Sequence, residues 1–141
     1  MPSNPRQNSS RPARQYVNLL LATSILLLIG SVLMAGTLYD PPSPRSGIQT
    51  GWYGVVAVCM AAVGVLGIAN RTSPKNGALL FRLGLGLIVV EAVSVILAAV
   101  VFPPTGGATD FVEVAGREFF GFLISIFFTV GANQLKRQYQ T

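Results

Sequence analysis

The sequence predicts an all-α membrane protein, a bundle of four transmembrane helices with both termini on the cytoplasmic, stromal or matrix side. Three observations carry that prediction. Apolar residues make up 51% of the chain and charged residues only 11%, far from the balance of a soluble globular protein. The apolar residues gather into four stretches, each near the roughly 20 residues that a helix needs to cross a hydrocarbon core. Lys and Arg lie almost entirely in alternate connecting segments.

The first stretch, Val17 to Tyr39, contains no charge. It follows a basic segment, as a signal peptide would, but it is longer than the roughly 7–15 apolar residues of a signal sequence. Leu33 and Met34 also spoil a cleavage site at Ala35 and Gly36, so this stretch is expected to be a retained helix. The second span is Gly51 to Ala69. The third is Leu83 to Phe102, interrupted once by Glu91, and the fourth and shortest is Phe119 to Leu135. A soluble bundle would need a polar face on every helix, and these stretches have none. The expected organisation is a polar basic tail over 1–16, a membrane domain over 17–135 and a basic tail over 136–141.

The breakers agree with this division. Pro41, Pro42 and Pro44 close the first helix, Pro74 opens the third after Ser73 as an expected N-cap, and Pro103 and Pro104 end it. A lipid-exposed backbone must satisfy its own hydrogen bonds, so continuous helices are expected, not the broken helices of many transporters. In the last connection, Asp110 precedes Glu113 at capping-box spacing, and Glu113 precedes Arg117 by one helical turn. Either the fourth helix starts near Asp110, or this is a flexible acidic loop.

Charge sets the expected orientation. Arg6, Arg11 and Arg14 precede the first span; Arg71, Lys75 and Arg82 separate the second and third; Lys136 and Arg137 follow the fourth. The two other connections hold Arg45 and Arg117 beside Asp40, Asp110, Glu113 and Glu118. By the positive-inside rule the first group faces the cytoplasm or its equivalent. The net charge of +5 then reflects topology and attraction to anionic headgroups. No basic stripe with interleaved aromatics exists, so a nucleic-acid partner is not expected. The tail before Tyr16 is rich in Pro, Ser, Asn and Arg; it cannot build a core alone and shares its Arg enrichment with organellar transit peptides.

The chain has one cysteine, Cys59, and no histidine. An internal disulfide and a thiolate metal site are therefore excluded, and imidazole ligation of haem, zinc or a pigment is absent. No cofactor of its own is expected, and bound lipid is compatible with the sequence. Asn8-Ser9-Ser10 and Asn70-Arg71-Thr72 match the glycosylation pattern but fall on the expected inner side.

Glu91 is the ionisable residue placed at depth, and such a residue invites a functional hypothesis. It is expected to face protein and to be neutral unless a cation sits beside it. Its alternatives are a structural hydrogen bond to another helix, which is the expectation, a pairing with a partner's Arg, or proton or cation coupling. Coupling would need a second acid, a cation or a polar path, whereas the spans offer only Thr23, Ser24, Ser31, Ser94, Ser125 and Thr129. Small residues recur at helical spacing: Gly54, Ala57, Ala61 and Gly64 in the second span, Gly84 and Ala98 with Glu91 in the third, and Gly121, Ser125 and Ala132 in the fourth. Such faces let membrane helices approach closely. Tyr16, Tyr39, Trp52 and Tyr53 are placed as interfacial anchors, and the phenylalanines of the fourth span are expected to meet lipid.

Four spans, termini on one side, short connections and a Gly-containing second helix give a layout that resembles tetraspan membrane proteins of the MARVEL kind. The resemblance covers topology, and the loop cysteines are missing. Asp110, Glu113 and Glu118 have no nucleophile or His beside them, so an enzyme is not expected. The expected function is that of a small, non-catalytic accessory or scaffold subunit in a larger membrane complex, with lipids and other membrane subunits as partners. The alternative is a small ion- or proton-coupled transporter or channel that uses Glu91.

Overall fold

The computed structural model describes residues 10–39, 46–101 and 108–140, which are almost wholly helical. Four helices are long and apolar enough to cross a membrane: α1 (Ser10–Tyr39), α2 (Gly47–Asn70), α3 (Gly77–Ile96) and α4 (Ala108–Gln140). A 3-10 turn, Pro74–Asn76, leads into α3, and a π-helical turn, Leu97–Val101, ends it.

α1, α2 and α4 are longer than their apolar stretches, and α3 starts earlier than its stretch, at Gly77, and passes into the π-helical turn at Leu97, for local reasons. α1 begins in the basic tail at Ser10, with Pro12 in the first turn, where backbone N–H groups have no helical acceptor to lose. α2 begins at Gly47 because Ser46 caps it: the Ser46 backbone is extended, and its hydroxyl accepts from the Gln49 N–H at 3.2 Å. Ser46 and Gln49 have the spacing of a capping box. Ser73 is extended before Pro74 but makes no side-chain cap hydrogen bond, and Pro74 opens the 3-10 turn instead of α3. α4 begins two residues before Asp110 and runs nearly to the end of the chain. The side chains of Asp110 and Glu113, like Asp40, Arg45 and the prolines of the two long connections, lie outside the described residues.

α1 and α2 pack as one antiparallel hairpin and α3 and α4 as another; α1 also lies along α4, and α2 meets α3 over a smaller area. The α3–α4 seam shows how the sequence produces this packing. On α3 the buried positions are Gly77, Leu80, Gly84, Leu87, Glu91 and Ser94, continuing to Ala98; on α4 a buried row runs through Glu118, Gly121, Ser125, Phe128, Ala132 and Leu135, flanked by the buried Ile124, Thr129 and Gly131. Steps of three and four alternate along both, the repeat of a knobs-into-holes seam. A Cβ on Gly77 would meet the backbone of Leu135 and Lys136, one on Gly84 would meet Phe128 and Thr129, and one on Gly121 would meet the Glu91 carboxylate. Each heptad down α3 is therefore a heptad back along α4. The same register sets Leu80 level with Ala132, Leu87 with Ser125, and Ser94 with Glu118. In each layer a larger side chain faces a smaller one, so two helices gain dispersion contacts where lipid offers no hydrophobic drive.

The α1–α2 hairpin uses the same device. A Cβ on Gly64 would meet Leu28 and the Ser24 carbonyl oxygen at 2.9 Å, and one on Gly30 would meet Met60 at 2.7 Å. Ala57 and Gly64 lie in the buried face, whereas Gly54 and Ala61 are half-buried at its edge. The face is centred on Val56, Met60 and Val63, because large side chains knobbing into α1 contribute as much as the small ones that admit it.

Candidate functional site

Most polar groups inside the bundle are satisfied locally. Thr23 donates to the Leu19 carbonyl at 2.8 Å, Ser125 to Gly121 at 3.0 Å and Thr129 to Ser125 at 2.7 Å. This one-turn back-bonding serves the helix backbone and leaves no group for chemistry.

Two places are exceptions: Ser24, whose buried Oγ has no hydrogen-bond partner, and the end of the bundle where α1 finishes and α4 begins. Glu91 and Glu118 are each only 1% exposed. α3 presents Glu91 on its seam, where the missing side chain of Gly121 leaves room: a Cβ there would come within 3.1 Å of the carboxylate. Glu91 therefore faces protein. The expected hydrogen bond to another helix is not made by its Oε1, which is buried without a partner.

Glu118 was placed by the sequence in a connecting loop. Instead it occupies a buried seam position of α4, three residues before Gly121 and seven before Ser125. The signal was present: Glu118, Ser125 and Ala132 share one heptad position, which continues the small-residue face by one step. The next residue back, Arg117, brings its Nη2 to 3.8 Å from the Glu118 Oε1. It also lies over the Tyr53 ring, 5.7 Å from its centroid, a cation–π distance. Tyr53 is buried at 4% exposure within the hydrophobic core, not standing outward as the interfacial anchor that the sequence suggested. Trp52 likewise turns inward, donating from Nε1 to Ser94 Oγ at 2.8 Å. Tyr39 does stand clear of the bundle. Of Phe119, Phe120, Phe122, Phe127 and Phe128, only Phe128 is fully buried.

The two acids and Arg117 line a cleft of about 160 Å³ between α1 and α4. Its walls are apolar, from Leu26, Ile29, Met34, Met60 and Ile124, with Thr37 as a further polar group. Ile29, Leu33 and Phe120 at its mouth are exposed on the outside of the bundle, which acyl chains cover in a membrane. Toward the other end the interior is filled by Leu20, Leu27, Leu80, Leu87, Phe128 and Leu135, all essentially inaccessible, with the buried hydroxyls of Thr23, Ser24 and Thr129 among them. No group of three or more His, Cys, Asp or Glu residues able to hold a metal forms among the described residues.

At that opposite end the α2–α3 turn is tied down. Asn70 donates to the Leu66 carbonyl and accepts from Asn76 Nδ2, Arg71 donates to the Ile68 carbonyl at 2.8 Å, and Lys136 lies over the Phe81 ring at 5.1 Å. Comparison with family models, with curated proteins and with solved structures returned no match.

Proposed function

We propose that the chain is a non-catalytic accessory subunit of a larger membrane assembly, with the Asn70–Gly77 turn and both termini on the cytoplasmic, stromal or matrix side. One observation carries this reading: among the described residues the buried ionisable side chains, Glu91 and Glu118, lie toward one end of the bundle. Conduction needs a wet or polar route through the membrane, and in the other half the described interior offers only scattered hydroxyls, Thr23, Ser24 and Thr129, among buried leucines and Phe128. The exterior of all four helices is apolar side chain, suited to lipid and to neighbouring helices. Among the described residues the acids share their cleft with one hydroxyl, Thr37, and with no group of residues able to hold a metal, which favours binding over catalysis.

A second reading, a small proton- or cation-coupled transporter, is favoured by the second acid and the Arg that share the cleft with Glu91. Purified protein in liposomes, tested for proton and organic-cation flux, separates the two. The accessory reading expects flux no greater than in empty liposomes. Flux that Glu91→Gln abolishes would overturn it.

A further inference from the structure

The cleft holds a specific chemical imbalance. Glu118 has the Arg117 guanidinium at 3.8 Å. Glu91 lines the same space, is 1% exposed, and has an Oε1 with no hydrogen-bond partner. Among the described residues the cleft holds these two carboxyls and one guanidinium, and an ionised Glu91 would have no cation beside it. A buried polar atom without a partner is rare in folded proteins and marks a site where another group belongs. The mouth between Ile29, Leu33 and Phe120 opens on the lipid-facing surface, so an occupant enters from the bilayer and must be apolar over most of its length.

We propose that this cleft binds a membrane-partitioned monovalent organic cation: an amine that places its ammonium beside Glu91 and its apolar body between α1 and α4. Charge complementarity selects the head group. Volume selects the body, since about 160 Å³ resembles the engineered cavity of roughly 150 Å³ that admits benzene. The walls suit an aromatic or alkyl group, because Met34 and Met60 are deformable and Phe120 offers a ring face. A monocation would let the buried Glu91 ionise against it, whereas an anion would face both carboxyls and a neutral alcohol would leave Glu91 without a counter-charge. The inference stands apart from the accessory reading: it requires binding, not flux, and holds whether or not partner chains exist.

The test uses the full chain in nanodiscs, with 4-phenylbutylamine as probe, 4-phenylbutanol as its neutral counterpart and empty nanodiscs as the partition blank. Titration calorimetry should show saturable binding of the amine above the blank and much weaker binding of the alcohol. Glu91→Gln should weaken amine binding about tenfold or more, the usual consequence of losing a charge-assisted hydrogen bond. Ile29→Trp, at an exposed position where the fold is not at stake, should obstruct the mouth and weaken it as well. Equal affinity for amine and alcohol, amine uptake no greater than the blank, or unchanged binding in either variant would overturn the proposal. If Glu91→Gln fails to fold, the amine–alcohol comparison and Ile29→Trp still decide the question.

Discussion

Adding one methyl group to Gly77 should separate α3 from α4, and the structure gives the size of the effect. The Cβ of Gly77→Ala would lie 2.5 Å from the Lys136 nitrogen, 2.7 Å from its Cα and 2.9 Å from the Leu135 carbonyl carbon. Non-bonded carbon contacts settle near 3.5–4.0 Å, so the helices must part by about 1 Å. Every atom met is backbone, so no side chain can swing aside. Overpacking of this kind costs about 1–3 kcal/mol, while Ala recovers up to about 1 kcal/mol of helix propensity over Gly. The net loss is about 1–2 kcal/mol, equivalent to a fall of roughly 2–8 °C in melting temperature for a chain of this size. Gly86 lies on the same helix but meets nothing within 4 Å. There only the propensity term acts, and Gly86→Ala should melt at or above the wild type. Cys59, half-buried and the chain's single thiol, allows unfolding to be followed with a thiol-reactive dye. A Gly77→Ala protein that melts as high as Gly86→Ala would refute the close α3–α4 register.

Three further outcomes are expected. Trp52→Phe and Ser94→Ala should each lose about 0.5–1.5 kcal/mol of stability, and the double variant should lose little more than either, because they share one hydrogen bond. Glu91→Leu should leave the melting temperature of the isolated bundle unchanged or raise it, since the Glu91 Oε1 has no partner to lose; a fall of several degrees would show that Glu91 holds the helices together by itself. Cysteines at Ser46 and Ser73, in a Cys59→Ser background, should react with an impermeant reagent from opposite sides of the membrane, and labelling of both from one side would refute the charge-based orientation.

Helix number and order were legible because four apolar stretches, charged only at Glu91, and the placement of proline leave little alternative. Where the helices end was less legible. Ser46 and Gln49 carry a capping signal, but apolar length alone starts α2 at Gly51. Glu118 shows the deeper limit. Treated as one charge among several near a span's edge, it belongs with the loop acids; placed on a heptad with Ser125 and Ala132, it belongs to the seam. Local polarity and helical phase disagree there, and packing against α3 decides for phase. Tyr53 and Trp52 were misplaced for a related reason. Their position along the helix fits an interfacial anchor, but they turn inward to meet Arg117 and Ser94, residues far away in sequence. The cleft was not legible at all, since it arises from where α1 and α4 diverge and from the side chain that Gly121 lacks.

The most direct test of the accessory reading is the composition of the native particle. Membranes solubilised in mild detergent, captured through a tag on the full chain and examined by mass spectrometry and native mass measurement, should yield a particle much larger than one chain, with other membrane proteins in fixed ratio. A monodisperse particle containing this chain alone, active in cation flux after reconstitution, would contradict the account.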